Sequence, residues 1–286
     1  MLSNKVHEIM TTQLTSAPVT APVHEVLRQM IAEDVGRIVI TDNEVPVGVF
    51  TEKDVLKRVV YPGLNGKQTA IKSVMSSPIR AVREETHIVE AFKRMYRGKY
   101  RHLLVRGRRG RIVGIVSMRR ILKIAVELGQ GASETQTLTN IAATDAVCVD
   151  PTESVAATVQ LLVRKELSSV VVGSPDEPLG IFTERDVLKR VALAEFDRRA
   201  TKVQEVMTAP VVTLPETTLI GDALAEMYRR DIRNLPMMDS NGQLRRIISM
   251  PDVLRYARAF DVDEQVRRTW KEVAASLADE DQYTPG

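Results

Sequence analysis

Apolar side chains fall at the i, i+3, i+4, i+7, i+8 spacing of one helix face in four separate stretches of the chain. They are Val23, Val26, Leu27, Met30 and Ile31; Ile88, Ala91, Phe92, Met95 and Tyr96; Val155, Val159, Leu162 and Val163, with Thr158 the one polar intrusion; and Ile220, Ala223, Leu224, Met227 and Tyr228. Two β-rich runs around a turn follow each stretch. The first is Arg37-Ile38-Val39-Ile40, then Asp42-Asn43-Glu44, then Val47-Gly48-Val49-Phe50, which reads as a hairpin. A short strand-like segment opens each unit, and a second helix is expected directly after the hairpin, near Thr51, Ser117, Thr183 or Ser249. The predicted order is strand, helix, strand, strand, helix, four times over: an α/β (α+β) chain with a three-stranded sheet and two helices per unit.

The run from Gly48 to Val59 returns almost letter for letter as Gly180 to Val191, 132 positions later. Half that offset lands on Gly114-Ile115-Val116-Ser117 and Arg246-Ile247-Ile248-Ser249, so the period is 66 residues. One such unit is too small to bury its sheet and helices alone, and neighbours are expected to pack in pairs. The expected divisions are 1–64 and 65–128 for the first pair, 134–197 and 198–260 for the second, and a C-terminal helix with an acidic tail over 261–286. Gly129-Gln130-Gly131-Ala132-Ser133 reads as the linker between pairs.

Composition narrows the function more by exclusion than by assertion. The 286 residues are 44% apolar and 27% charged, and 40 Lys and Arg against 37 Asp and Glu leave a net charge of +3. That balance says little about a polyanion partner. No apolar run approaches the roughly twenty residues of a bilayer crossing, and Met1 to Met10 lacks the pattern of a secretory signal. Cys148, the only cysteine, permits neither an internal disulfide nor a thiolate zinc site, and a reducing cytoplasmic setting is the simplest expectation. His7, His24, His87 and His102 are scattered over different element types, and no His-x-x-x-His, Gly-x-Ser-x-Gly or P-loop pattern occurs. Catalysis therefore has no support, and no cofactor is required.

Four units of this order, each with a Gly-apolar-apolar-Thr/Ser-x-x-Asp motif or a variant of it, resemble cystathionine-β-synthase (CBS) domains arranged as two Bateman modules. Val74-Met75-Ser76-Ser77-Pro78 and Val206-Met207-Thr208-Ala209-Pro210 at unit entries support the resemblance, as do Tyr100-Arg101-His102-Leu103 and Ile232-Arg233-Asn234-Leu235-Pro236 before the hairpins. It covers roughly residues 1 to 260. The resemblance implies clefts for an adenosine ligand (AMP, ADP, ATP or S-adenosylmethionine) and a regulatory role toward another protein. It leaves open whether the modules close on each other within one chain or pair as a homodimer.

A hydroxyl three residues before a carboxylate at a strand-to-helix junction has two readings. Thr51 would cap its helix while Asp54 complements the dipole, although a capping box prefers Glu or Gln at the later position. Alternatively, the carboxylate would accept ribose hydroxyls beside free helix amides that favour phosphate. By resemblance, Asp54, Asp186 and Asp252 would hold ribose, with Thr51, Thr183 and Ser249 touching ribose or phosphate. Arg120 replaces the acid after Ser117, which implies an empty site or one rebuilt for phosphate. Arg246 stands where the other units have Gly and is expected to crowd its pocket. Arg37, Arg101, His102 and Arg233 occupy positions where the family often contacts phosphate, with a solvated surface side chain as the alternative for Arg37. Leu14, Ile79, Val147 and Val211 would back the adenine, though any reading makes them core. From Lys93 to Lys123 there are twelve Lys or Arg and no acid, so a nucleic-acid-associated regulator is the alternative function. A ligand-free scaffold is a further one.

Overall fold

Each amphipathic stretch folds as a helix that buries the stripe its spacing predicts. The computed structural model describes residues 4–128, 136–141 and 143–256. The first unit has β1 (Ser16–Pro18), α1 (Val23–Ala32), β2 (Arg37–Asp42), β3 (Val45–Thr51) and a short α2 (Glu52–Asp54) that continues as a π-helix over Val55–Val60. The second has β4 (Ala81–Arg83), α3 (Ile88–Gly98), β5 (His102–Arg106), β6 (Ile112–Ser117) and α4 (Met118–Leu128). The third opens with β7 (Thr144–Asp145), followed by β8 (Cys148–Val149), α5 (Val155–Arg164), β9 (Ser169–Gly173), β10 (Pro178–Thr183) and α6 (Glu184–Asp186), again with a π-helix over Val187–Val191. The fourth has β11 (Leu214–Pro215), α7 (Ile220–Arg229), β12 (Asn234–Met238), β13 (Leu244–Ser249) and α8 (Met250–Tyr256). The expected linker and the tail from Asp261 lie outside the described residues.

In units one, two and four the opening strand runs parallel to the second, which is antiparallel to the third, and in unit three β8, β9 and β10 repeat this; β7 instead joins the sheet of unit four antiparallel to β13, so that sheet has four strands where three were expected. The first hairpin turns at Asn43 (φ 47°) and Glu44 (φ 65°), both left-handed, as the two-residue turn that matches strand twist requires. Thr158, the polar intrusion in the third stripe, is fully buried and donates its hydroxyl to the Ser154 carbonyl at 2.9 Å. Its polar atom is thereby satisfied inside the core.

The units pack in two directions. Sheets of sequence neighbours face each other: Val39, Leu104 and Ile115 join units one and two, and Val171, Leu244 and Ile247 join units three and four. The larger cores run between the pairs. Leu27, Met30, Phe50 and Leu56 of unit one share a core with Val159, Leu162, Phe182 and Leu188 of unit three. Phe92, Met95 and Ile121 of unit two likewise share one with Ile220, Met227 and Val253 of unit four. The two modules thus close on each other within one chain.

Each entry segment crosses to its neighbour's sheet: Ser76 bridges to Val49, Thr11 to Ile115 and Thr208 to Ile181. The glycine of the repeated motif makes this possible. A Cβ on Gly48 would stand 2.5 Å from the Met75 sulfur, and one on Gly114 would stand 2.8 Å from that of Met10. In unit four the strand pairing sets Thr144 opposite Ile247, so Ala143 takes the methionine's place where Arg246 takes the glycine's. Arg246, expected to crowd a pocket, extends its guanidinium to Glu216 at 3.7 Å.

Candidate functional site

The end of β3 delivers Thr51 as an extended N-cap residue, and the sequence Glu-Lys-Asp turns straight into helix. Asp54 Oδ2 accepts from the Thr51 amide at 2.9 Å and the Thr51 hydroxyl at 2.7 Å, while the Asp54 amide donates back to Thr51 Oγ1 at 3.4 Å. Thr183 and Asp186 repeat this at 2.9, 2.6 and 3.3 Å. Both are capping boxes, so Asp fills the position at which Glu or Gln was expected. Ser249 and Asp252 approach the same arrangement, with the Ser249 hydroxyl on Asp252 Oδ2.

In Asp54 and Asp186 capping uses one carboxylate oxygen, and the other meets the neighbouring unit. Asp54 Oδ1 accepts from the Ser76 hydroxyl at 2.8 Å, with Arg58 Nε at 3.6 Å. Asp186 Oδ1 accepts from the Thr208 hydroxyl at 2.7 Å, with Arg190 at 3.3 Å. Each arginine also donates to the entry segment, Arg58 to the Val74 and Met75 carbonyls and Arg190 to those of Val206 and Met207. Ser76 and Thr208 belong to the entry motifs visible in the sequence, where both follow a Val-Met pair, but neither they nor Arg58 and Arg190 carried a site role there. In unit two, Arg120 stands at the acid's position and its Nε donates to the Ile9 carbonyl at 3.2 Å. Arg120 thus performs there the carbonyl-binding part of Arg58.

Three cavities open around these groups. The first, about 510 Å3, is lined by Thr51, Asp54, Arg58, Ser76 and Lys53 on its polar side and by Val49, Ile79, Leu104 and Ile115 on its apolar side. The second, about 380 Å3, holds Thr183, Asp186, Arg190 and Thr208 beside Ile181 and Ile232. The third, about 620 Å3, lies among all four units and receives Ser117, Ser249 and Asp252 together with Arg37, His102 and Arg233. Of the four expected adenine contacts, Ile79 lines the first cleft. Leu14 packs between the sheets of units one and two, Val147 against the core of units one and three, and Val211 is half-buried with its amide on the Leu179 carbonyl at 3.3 Å.

The arginines expected to contact phosphate converge at the centre on two carboxylates that the sequence reading passed over. Glu52 and Glu184 are 2% and 4% exposed. Arg101 pairs with Glu184 and lies 3.5 Å from Glu52, and Arg233 pairs with Glu52. Both principal contacts cross between the modules. Burial opposes the charge on Arg101, but Glu184 and then Glu52 outweigh it and raise its pKa. Arg37 is not a solvated surface side chain: burial, then the Arg233 charge, pushes its pKa down to about 10. His102 sits well below the usual histidine value through burial and then the Arg37, Arg233 and Arg101 charges. Arg101 lines all three cavities and Glu52 lines both smaller clefts.

Part of the basic segment is engaged within the fold. Arg94 pairs with Glu90, Arg108 with Glu84 and Glu85, and Arg119 with Asp231, while Lys123 is buried. Tyr96, a candidate for base stacking, packs against the core of units two and four, with its ring 6.1 Å from that of Phe92. Burial raises the pKa of the Cys148 thiol, the direction of an unreactive group. Among the described residues there is no cluster of metal-ligating side chains and no helix long and apolar enough to cross a membrane.

A family model described as the CBS domain matches residues 6–61, 71–127, 138–193 and 203–259. The CBS domain-containing protein CBSCBSPB1 of Arabidopsis thaliana is 27% identical over 293 residues, covering 89% of this chain and 53% of the relative. The chain spans about half the length of the curated relatives it matches. Among solved structures, protein MJ1225 of Methanocaldococcus jannaschii has a TM-score of 0.79 at 18% identity, covering 88% of this chain and 99% of that one. An uncharacterized conserved protein of Pyrococcus horikoshii has a TM-score of 0.61 at 18% identity, covering 88% and 98%. At this identity both are likenesses of fold.

Proposed function

Because the chain belongs to the CBS-domain family, with four copies forming two Bateman modules, we propose that it is a regulatory sensor of adenine nucleotides, AMP, ADP or ATP. The ligands occupy the clefts of Asp54 and Asp186. The observation that carries this reading is the duplicated constellation of hydroxyl, carboxylate, second hydroxyl and arginine, set each time beside an apolar wall and several cations.

The chemistry assigns the parts. A carboxylate has about four lone-pair sites, and three of Asp54's are met by the Thr51 amide, the Thr51 hydroxyl and the Ser76 hydroxyl. One remains on Oδ1 for a ribose hydroxyl. The other ribose hydroxyl donates to Ser76 Oγ, which keeps its lone pairs while it donates to Asp54. Adenine lies against Ile79, Val49 and Ile115, and phosphate meets Arg101 and the lysines at the α2 end of the cleft. The role is regulatory rather than catalytic.

Arg101 gives the cleft a way to report occupancy, since it lines the nucleotide site and also ties the first module to Glu184 of the second. A phosphate that draws on Arg101 weakens that tie. The module arrangement then shifts to the extent that the nucleotide binds the two arrangements with different affinity. The recipient is a protein or segment outside the described residues.

Calorimetric titration with AMP, ADP and ATP, with S-adenosylmethionine as comparison, tests the reading. Asp186→Ala is expected to remove one binding event and leave the Asp54 cleft competent. No binding at millimolar nucleotide, or loss of both events or neither, refutes it.

A further inference from the structure

The two smaller clefts are quasi-equivalent, yet their charge has diverged. Six cations face two carboxylates in the Asp54 cleft, and six face five in the Asp186 cleft. Two substitutions between equivalent positions account for much of the difference. Lys99 at the end of α3 corresponds to Asp231 at the end of α7, both left-handed with φ 53°. Arg80 corresponds to Val212.

The remaining cations differ in their engagement. In the Asp186 cleft, Arg185 is held by Asp231 and by Asp34 at 3.2 Å, and Lys189 by Asp34. In the Asp54 cleft Lys53, the equivalent of Arg185, makes no ion pair with any described residue, nor does Lys99, and Lys57, the equivalent of Lys189, reaches only Glu166 at 3.8 Å. Arg80 lies 5.8 Å over the ring of Tyr100, which holds its guanidinium at the cleft wall. The more positive cleft is also the larger, about 510 Å3 against about 380 Å3.

We propose that the clefts select ligands of different charge: the Asp54 cleft takes a nucleoside di- or triphosphate, with Lys99 and Arg80 on its outer phosphates, and the Asp186 cleft takes a nucleoside bearing at most one. This rests on the nucleotide-sensor reading and specifies it. Loose cations at the wall of the first cleft are donors awaiting phosphate oxygens, and charge-assisted contacts of this kind are strong and bidentate at arginine. In the second cleft Asp231 repels an outer phosphate from the position that Lys99 would bind.

The test titrates the full chain with adenosine, AMP and ATP, with events assigned to clefts by Asp54→Ala and Asp186→Ala. The expected ratio of ATP to adenosine affinity is higher in the Asp54 cleft. Lys99→Asn, which keeps a residue that tolerates the left-handed backbone, is expected to weaken ATP there about tenfold, as for loss of one charged hydrogen bond. Adenosine should change there by less than about threefold. Asp231→Asn should raise the ATP-to-adenosine ratio in the other cleft; because it also loosens Arg119 and Arg185, the ratio rather than either affinity is the readout. Equal ratios in the two clefts, or a ratio unmoved by Lys99→Asn, overturn the inference and leave the sensor reading standing. Absence of binding by all three probes overturns both.

Discussion

Arg101→Met is the substitution through which the central cluster can be weighed. Arg101 stands between Glu184 and Glu52, carboxylates almost wholly withdrawn from solvent. At the 3.5 Å separation from Glu52 and an effective dielectric of about 20, the Coulomb attraction is about 5 kcal/mol. Desolvation of both ions offsets much of it, and Arg101 keeps 33% of its side-chain exposure, which screens the pair further. The substitution exacts a different cost, because it leaves Glu184 buried and without its cation. Removal of one partner from a buried pair typically costs 3–5 kcal/mol, and screening puts this case at about 3 kcal/mol. For a chain of this size that corresponds to a fall in Tm of roughly 6–12 °C. Differential scanning calorimetry at pH 7 reads it directly, with the exposed Arg109→Met as control. Adding Glu184→Gln to Arg101→Met should recover more than half of the loss, since the stranded charge is then gone. A fall below about 2 °C for Arg101→Met, or no recovery in the double variant, refutes the view that this cluster ties the modules.

Two further outcomes follow from the geometry. His102 is held neutral in the folded protein, whereas the unfolded chain takes up a proton near the ordinary histidine value of 6.5; stability is therefore full above that pH and declines below it. The His102 contribution approaches about 1.4 kcal/mol per pH unit, and urea midpoints at pH 7, 6 and 5 should lose that slope in His102→Gln; equal slopes in the two proteins refute it. Gly48→Ala should destabilise by about 1–3 kcal/mol through overpacking, because its Cβ would meet the Met75 sulfur at 2.5 Å. Met75→Ala in the same chain should relieve part of that cost, and strict additivity in the thermal melts of this double-mutant cycle would show that the two positions are not coupled.

Local periodicity carried the helices, hairpins and fourfold order, because a stripe such as Val23, Val26, Leu27 and Met30 needs only its own neighbours to be read. The same locality hid much of the site. Glu52 looks like an ordinary acid in a first helical turn; its partner Arg233 is 181 positions away, and only the closure of the modules brings them together. Ser76 reaches Asp54 because the entry segment of one unit pairs with the sheet of another, a pairing with no signature in either segment alone. The pairwise packing of sequence neighbours was foreseen at the sheets, but the larger cores lie across the modules, since the faces of α1 and α3 can be covered equally well by near or distant units. For Arg37 the sequence left a phosphate contact and a solvated surface side chain both open, for want of any local sign that Arg233 and His102 would gather beside it.

The division of each major core between the modules makes the chain behave as a tethered heterodimer. Neither half owns a complete interior, so what holds the halves together is partly a matter of effective concentration. A covalent connection of a few residues keeps the complementary face present at the order of millimolar, and a second copy of the chain competes for that face only as its own concentration nears the same range. Exchange of halves between chains would preserve every contact described here, and the tether, rather than any difference in the surfaces, is what favours self-closure.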